Sequence, residues 1–280
     1  MPFPRPEQTQ LLANDYDLVL SDCGGIVASL QQDPKRLAQQ FVFVGTLRVN
    51  PDYLHDHRER LAARLGPAKA ELMRELASCA GPIRTIEVDR LSMVEQAVAF
   101  CQSRLAIANA VAEAGFVLPS TLVARRHRRR VMLHPTSYNV KKNWPYEKYL
   151  RLARRLKQQG FEPQFVLSPK ERVEWAPRFE AEFSVPQFAN AQELAAYLYE
   201  SGYVIGNDSG VGHLASALGV PVLTIYRKRR DGFCWRPGWG DNEVVRPWLS
   251  LGVVRNAWTH FLGVRRVARA FDRLLARHEV

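Results

Sequence analysis

Tyr203-Val-Ile-Gly-Asn-Asp-Ser-Gly-Val-Gly-His-Leu-Ala-Ser-Ala-Leu-Gly-Val-Pro-Val-Leu-Thr-Ile-Tyr226 is the stretch on which the fold turns. The apolar run Tyr203 to Gly206 predicts a strand. Asn207, Asp208, Ser209 and Gly210 bring turn and N-cap chemistry. Val211 to Leu218 reads as a helix of small residues, with Gly219 at its C-terminus and Pro221 two residues on. Val222 to Tyr226 predicts a second buried strand. Strand, tight turn, helix and strand make half of a parallel α/β unit. The turn collects free backbone N–H groups and the positive end of a helix dipole, which is an anion site. Asp208 and Ser209 stand on its lip. Small residues at Gly210, Gly212, Ala215 and Ala217 let a ligand and the sheet approach the helix backbone. A helix cap with no ligand is the plainer reading of the same residues. Gly210-x-Gly212-x-x-Ala215 also meets the relaxed dinucleotide fingerprint, but that motif belongs directly after the first strand of its domain. Here it follows roughly the fourth strand and is preceded by Asn-Asp-Ser. Ser209 is not in a nucleophile elbow, because Asn207 and Val211 occupy the positions that need glycine.

Outward from this unit the alternation is regular back to Val131. Val131 to His134 predicts a strand, with His134-Pro135-Thr136-Ser137 as the turn at its carboxyl end. Pro145 suits a helix start. Tyr146, Tyr149, Leu150, Ala153 and Leu156 form one apolar face of that helix, and Gly160 ends it. Strands are expected at Phe161 to Leu167 and Val185 to Phe188, and helices at Pro169 to Trp175 and Ala191 to Glu200. Asn190 with Glu193 gives a capping-box-like start. The pattern predicts a doubly wound parallel sheet, whose ligands sit at the carboxyl ends of its strands. A last helix, Val264 to His278, has an apolar face of Val264, Val267, Ala268, Phe271, Leu274 and Leu275 and an arginine-rich opposite face.

The first half carries weaker signals. Strands are expected at Tyr16 to Leu20 and Phe41 to Val44, with a possible third at Ile83 to Val88. Helices are expected at Pro34 to Gln40, Tyr53 to Leu65, Ala68 to Ser78 and Ser92 to Ala114. Arg125-Arg-His-Arg-Arg-Arg130 is the sharpest change of composition and sets the domain boundary near it. This run reads as a solvated linker or as a patch for an anionic lipid surface. The divisions are residues 1–124, 125–255 and a closing segment 256–280.

The chain has 280 residues, 46% of them hydrophobic, and a net charge of +11. Such charge favours anionic partners without choosing among them. The four cysteines, Cys23, Cys79, Cys101 and Cys234, show no metal or disulfide spacing and suit a reducing compartment. No run approaches the ~18 apolar residues of a membrane span, and Met1 to Pro6 lacks a signal-peptide core. A cytoplasmic protein is expected. His55 and His57 lack a third ligand nearby, so no metal site is expected.

His134-Pro-Thr, Lys142-Asn-Trp-Pro145 and Asn207-Asp-Ser-Gly-Val-Gly-His, in that order and spacing, resemble glycosyltransferase family nine, the heptosyltransferases of lipopolysaccharide core assembly. The resemblance is specific over residues 131–226 and loose before them. It implies an α/β fold of GT-B type: two Rossmann-like domains facing a cleft, with the last helix packing back toward the first domain and the first domain shortened at its N-terminus. It implies inverting, metal-independent transfer of a heptose or related sugar from an ADP-sugar to a lipopolysaccharide core saccharide, with no cofactor besides the donor. The partners implied are the nucleotide-sugar and an anionic lipid-linked oligosaccharide, reached by peripheral contact with the inner membrane. Nucleic acid is not among them. His134, Thr136, Ser137, Lys142, Asp208, Ser209, Gly210 and His213 would hold the donor. Family members begin with an apolar strand and a Gly-Asp loop whose aspartate resembles a general base. Residues 1–14 show no such pattern, so either that part is lacking or Asp22, in Ser21-Asp-Cys-Gly-Gly25, stands in. Arg227, Lys228, Arg229, Arg230 and Trp235 would grip an anionic acceptor; a solvated basic loop is the plain alternative. Two other functions compete. An NADP-linked oxidoreductase draws on the glycine pattern with Arg227 and Lys228. A non-catalytic binder of anionic polymer or membrane draws on the net charge.

Overall fold

The computed structural model describes residues 19–21, 41–43, 67, 91–104, 107–227, 235–249 and 257–278. Contacts group the chain into two units, Met1–Val88 with Gln96–Ala110, and Asp89–Glu95 with Val111–Val280. The segment Asp89–Glu95 belongs with the second unit.

In the first unit, β1 (Val19–Ser21) pairs in parallel with β2 (Phe41–Phe43), so that Leu20 lies opposite Val42. Helix α1 (Met93–Arg104), whose first turn belongs to the second unit, starts at a capping box, in which Glu95 N–H donates to Ser92 Oγ and Ser92 N–H donates to Glu95. It ends ten residues short of the expected Ala114: Ile107 to Ala110 form a turn, and residues 110–119 are irregular. The helices expected at 34–40, 53–65 and 68–78 and the strand at 83–88 lie outside the described residues.

The second unit carries β3 (His127–His134), α2 (Tyr146–Gln158), β4 (Glu162–Phe165), α3 (Pro169–Trp175), α4 (Ala191–Tyr199), β5 (Ser201–Asn207), α5 (Gly210–Ala217), β6 (Val222–Ile225), β7 (Asn242–Val245) and α6 (Val264–Ala276). The strands form one parallel sheet in the order β4-β3-β5-β6-β7. Successive strand residues point to opposite faces. Val131, Leu133, Tyr203, Ile205, Leu223 and Ile225 meet α2 and α6 on one face. Met132, Val204 and Val222 meet α4 and α5 on the other. Both faces are dry, which is why these strands read as continuous apolar runs. Each fully buried aliphatic or aromatic side chain contributes roughly 1.5–3 kcal/mol.

The basic run Arg125–Arg130 corrects its sequence reading. It is not a linker: β3 begins at His127, and three of the arginines lie over aromatic rings, while Arg126 and Arg128 stay exposed. Arg130 is buried with its guanidinium 4.0 Å from the Tyr197 ring centre, Arg125 sits 4.9 Å from Tyr203, and Arg129 sits 5.8 Å from Phe161. Val185 to Phe188 is not a strand. Ser184 alone bridges to Gln164, and Pro186 offers no N–H to extend a ladder. The edge strand β7 was not expected, its four residues being too short and half polar to stand out. Helix α6 buries Val267, Ala268, Phe271, Leu274 and Leu275 as its periodicity predicts. Phe271 meets Phe161 and Tyr203 edge-on. The described contacts of this helix include β5, β6, β7 and α2. Arg273 and Arg277 on its polar face pair with Glu243 and Asp241 on and beside β7. No helix among the described residues is long and apolar enough to cross a membrane.

Candidate functional site

The chain leaves β3 for β4 on one side, then returns to place β5 on the other side of β3. The carboxyl ends of β3 and β5 therefore part at a topological switch point, where open α/β sheets bind ligands. Asn207 ties the two ends together. Its Oδ1 accepts from Trp144 N–H and from the Tyr149 hydroxyl, each at 3.1 Å, and its Nδ2 donates to the Pro135 carbonyl at 2.7 Å. Asn207 is 1% exposed, so this side chain is a structural brace. Trp144 is fully buried and donates from Nε1 to the Leu262 carbonyl.

Lys142 reaches the mouth of this crevice from a 3-10 turn, Val140–Lys142, whose N-cap Asn139 accepts from Lys141 N–H. Lys142 Nζ donates to Asp208 Oδ2 at 2.6 Å. The carboxylate is 11% exposed and the ammonium 37%, so the cation is held but still reaches solvent. Ser137 is spent on the same loop, donating to Asn139 and Asn143.

Behind the pair, Ser209 Oγ lies 3.0 Å from His134 Nδ1, and Thr136 Oγ1 lies 3.3 Å from His134 Nε2. Glu171 Oε2 is 4.0 Å from the same Nε2. Burial lowers the His134 pKa to about 4 against the opposing pull of Glu171, so the ring is neutral at neutral pH. Burial works to raise the Glu171 carboxyl, but hydrogen bonds from Ser168 and Thr136 and the nearby His134 hold it below the ordinary range. His213 is also lowered by burial, with Asp208 opposing and Lys142 assisting. Helix α5 starts at Gly210, which is exposed with open space around its Cα. Ser209 occupies the N-cap position but makes no capping bond from its side chain. The first-turn N–H groups thus have no side-chain acceptor there.

Beside His134 a pocket of about 260 Å³ opens at the ends of β3 and β4. Its walls are mainly apolar, with Leu167, Phe188, Leu194 and Val211, and Asn190 stands at its rim. Phe188 leans on Tyr197, with ring centres 5.3 Å apart.

The structure therefore brings together His134, Thr136, Ser137, Lys142, Asp208, Ser209, Gly210 and His213 within one unit, around one strand-end crevice. Arg227 lies at the end of the segment after β6, half-buried, and Trp235 is exposed. Asp22, Lys228, Arg229 and Arg230 lie outside the described residues, as do His55 and His57. Among the described residues no group of three or more His, Cys, Asp or Glu is placed to hold a metal ion. The dinucleotide glycines Gly210 and Gly212 fall inside α5 rather than in a turn before it, so the NADP pattern lacks its geometry. Sequence reasoning missed Glu171, which serves the capping box of α3 with Ser168. The Ser-Pro-Lys-Glu spacing marked a helix start but not its nearness to His134. It also missed the pocket, whose walls come from strand ends and helices far apart in sequence.

Comparison with known proteins bears on the same residues. The family model described as glycosyltransferase family 9 (heptosyltransferase) matches residues 56–246. Lipopolysaccharide heptosyltransferase 1 of Pseudomonas aeruginosa is 31% identical over 107 residues, which are 37% of this chain and 30% of that protein. The match thus spans less than a third of that relative's length. Among solved structures, E. coli ADP-heptose lps heptosyltransferase II superposes with a TM-score of 0.53 at 17% identity, over 94% of this chain and 99% of that one. E. coli heptosyltransferase WaaC with ADP gives 0.51 at 20% identity, over 97% and 79%. These likenesses show the fold, the α/β architecture of GT-B type anticipated from the motifs.

Proposed function

The chain belongs to glycosyltransferase family 9, the heptosyltransferase family, and from that premise we propose that it transfers a heptose or related sugar from an ADP-sugar to a lipopolysaccharide core saccharide, with inversion and without a metal. The observation that carries this reading is the 2.6 Å pair of Lys142 and Asp208 at the mouth of a switch-point crevice, beside an uncapped helix N-terminus. The first-turn amides of α5 and its dipole take the diphosphate. Lys142 adds a point charge on the phosphates as negative charge moves onto the leaving ADP. Asp208 aims that lysine and accepts from hydroxyls of the donor sugar. His213, neutral near pH 7, lines the diphosphate as a hydrogen-bond donor. Thr136 and Ser137 hold the loop that carries Lys142 against the β3 end. The apolar pocket beside His134 takes the adenine base, with Asn190 at its polar edge.

The acceptor hydroxyl needs a general base, a role we give to Asp22. Arg227 to Arg230 and Trp235 serve the acceptor, whose phosphates or carboxylates suit arginine forks. The protein works in the cytoplasm, touching the inner membrane peripherally where its lipid-linked acceptor lies.

Calorimetry of ADP and ADP-sugar binding tests the donor site. Wild type is expected to bind between the micromolar and millimolar range. Lys142→Ala should weaken ADP by about tenfold or more, as loss of a charge-assisted contact of roughly 1.5–3 kcal/mol requires. Asp208→Ala should weaken the ADP-sugar more than ADP itself. Silence in the wild-type titration up to millimolar ligand removes the nucleotide-sugar reading.

A further inference from the structure

Three helices of the second unit begin next to the pocket, and they begin differently. Ser168 and Asn190 cap α3 and α4 with their side chains. Ser209, with nearly the backbone of Asn190 (φ −151°, ψ 165° against −156°, 175°), leaves α5 uncapped. Its hydroxyl points instead at His134 Nδ1, 3.0 Å away. Behind the ring stand Thr136 Oγ1, 3.3 Å from Nε2, and Glu171 Oε2, 4.0 Å from it. His134 and Thr136 are buried.

We propose that Glu171, Thr136 and His134 form a positioning relay that draws the Ser209 hydroxyl off the helix, so that the first-turn amides of α5 stay free for a diphosphate. The relay rests on the donor reading above. Its direction follows from its far end. A carboxylate only accepts. The Glu171 carboxylate faces Nε2 from 4.0 Å and favours a proton there, so Thr136 Oγ1 accepts from His134 Nε2–H. That leaves Nδ1 as the acceptor, and Ser209 O–H donates to it. The buried ring stays neutral, so Nδ1 keeps its lone pair through the physiological range. A serine released from Nδ1 would turn to the N2 or N3 amide, as free N-cap serines do. It would then compete with any anion for the same donors. None of these three side chains has to touch the reacting atoms for this to matter.

Nitrogen-15 NMR of the wild-type imidazoles reads the relay without any nucleotide. His134 should show the Nε2-protonated tautomer, unchanged from about pH 8 to below about pH 6. A ring protonated at Nδ1, or one charged at about pH 6, overturns the relay. Thr136→Val keeps the shape but breaks the link, and should give mixed tautomers; an unchanged tautomer overturns the relay as well. The second reading is ADP affinity. His134→Leu should bind ADP about fivefold more weakly, the worth of an N-cap bond won by Ser209. Adding Ser209→Ala to His134→Leu should recover most of that loss. A double variant no better than His134→Leu means that the ring merely holds the site in shape, and the relay falls. Absence of ADP binding by wild type would defeat the donor reading alone, since the NMR result still decides the relay.

Discussion

His134 shows how far a residue's surroundings can change its chemistry. In the chain it is an ordinary histidine before a proline. In the fold it is 6% exposed, and burial outweighs the attraction of Glu171 to bring its pKa to about 4. The unfolded chain binds that proton near pH 6.5, so between pH 6.5 and about 4 the unfolded state holds more protons than the folded one. Stability therefore falls on acidification through this window and is fully present above it. The loss from this one group is up to ~3 kcal/mol. Thermal melts from pH 7.5 to 4.5 should show the decline, and His134→Gln should flatten it. An equal slope in the variant would place the acid sensitivity elsewhere. Lys142 and Asp208 make the complementary case. Each was legible as a candidate because it sits at a fixed offset in a motif, and their 2.6 Å contact joins positions 66 residues apart.

At the scale of elements, β3 is where composition misleads. Six residues with five arginines look like a linker, yet His127 pairs with Ser201 of β5 and Arg130 with Glu162 of β4, across an irregularity in the β3–β5 ladder. What the composition hides is the partner: Tyr197, Tyr203 and Phe161 lend ring faces that absorb the guanidinium planes. Arg130→Ala should cost roughly 1–3 kcal/mol, since a buried cation–π contact and the packing of its stem both go. Denaturant melts should return about the same loss at low and high salt. A loss that vanishes in salt would mean that Arg130 acts as a screened charge and not through its ring contact. Backbone space matters equally nearby. A Cβ on Gly206 of β5 would stand 3.2 Å from the His134 Cβ and carbonyl oxygen, so a side chain there would make β3 and β5 give by a few tenths of an ångström. Helix α5 itself was read correctly from its turn, its small residues and Gly219, which has φ +76°.

For the whole molecule the net charge of +11 remains to be accounted for. Part of this excess lies over aromatic rings, as Arg125, Arg129 and Arg130 do. The exposed Arg151, Arg155, Arg265 and Arg269 make no ion pair among the described residues. Sedimentation with vesicles should find the protein bound to anionic lipid at low salt and released as salt rises, and unbound to neutral vesicles. Equal binding to both kinds would remove the peripheral electrostatic contact. The base role proposed for Asp22 is tested with the full chain. Asp22→Asn should lower kcat by about 10²–10⁴-fold and leave ADP affinity unchanged. Unaltered kcat would mean that another group takes the proton.

The local code was sufficient for what depends on neighbours in sequence. Strand, turn and helix around Asn207 to Gly210 follow from residue size, capping and the two periodicities, and the order of motifs was enough to suggest the family. Tertiary structure alone decided the crossing of the chain from β4 to β5 past β3. That crossing parts two strand ends and lets a lysine, a buried histidine and a helix start meet. It also decided the neutral state of His134 and the placement of Glu171. Charge and hydrogen bonding are felt through space, over a few ångströms, whereas periodicity reports only which side of an element is dry.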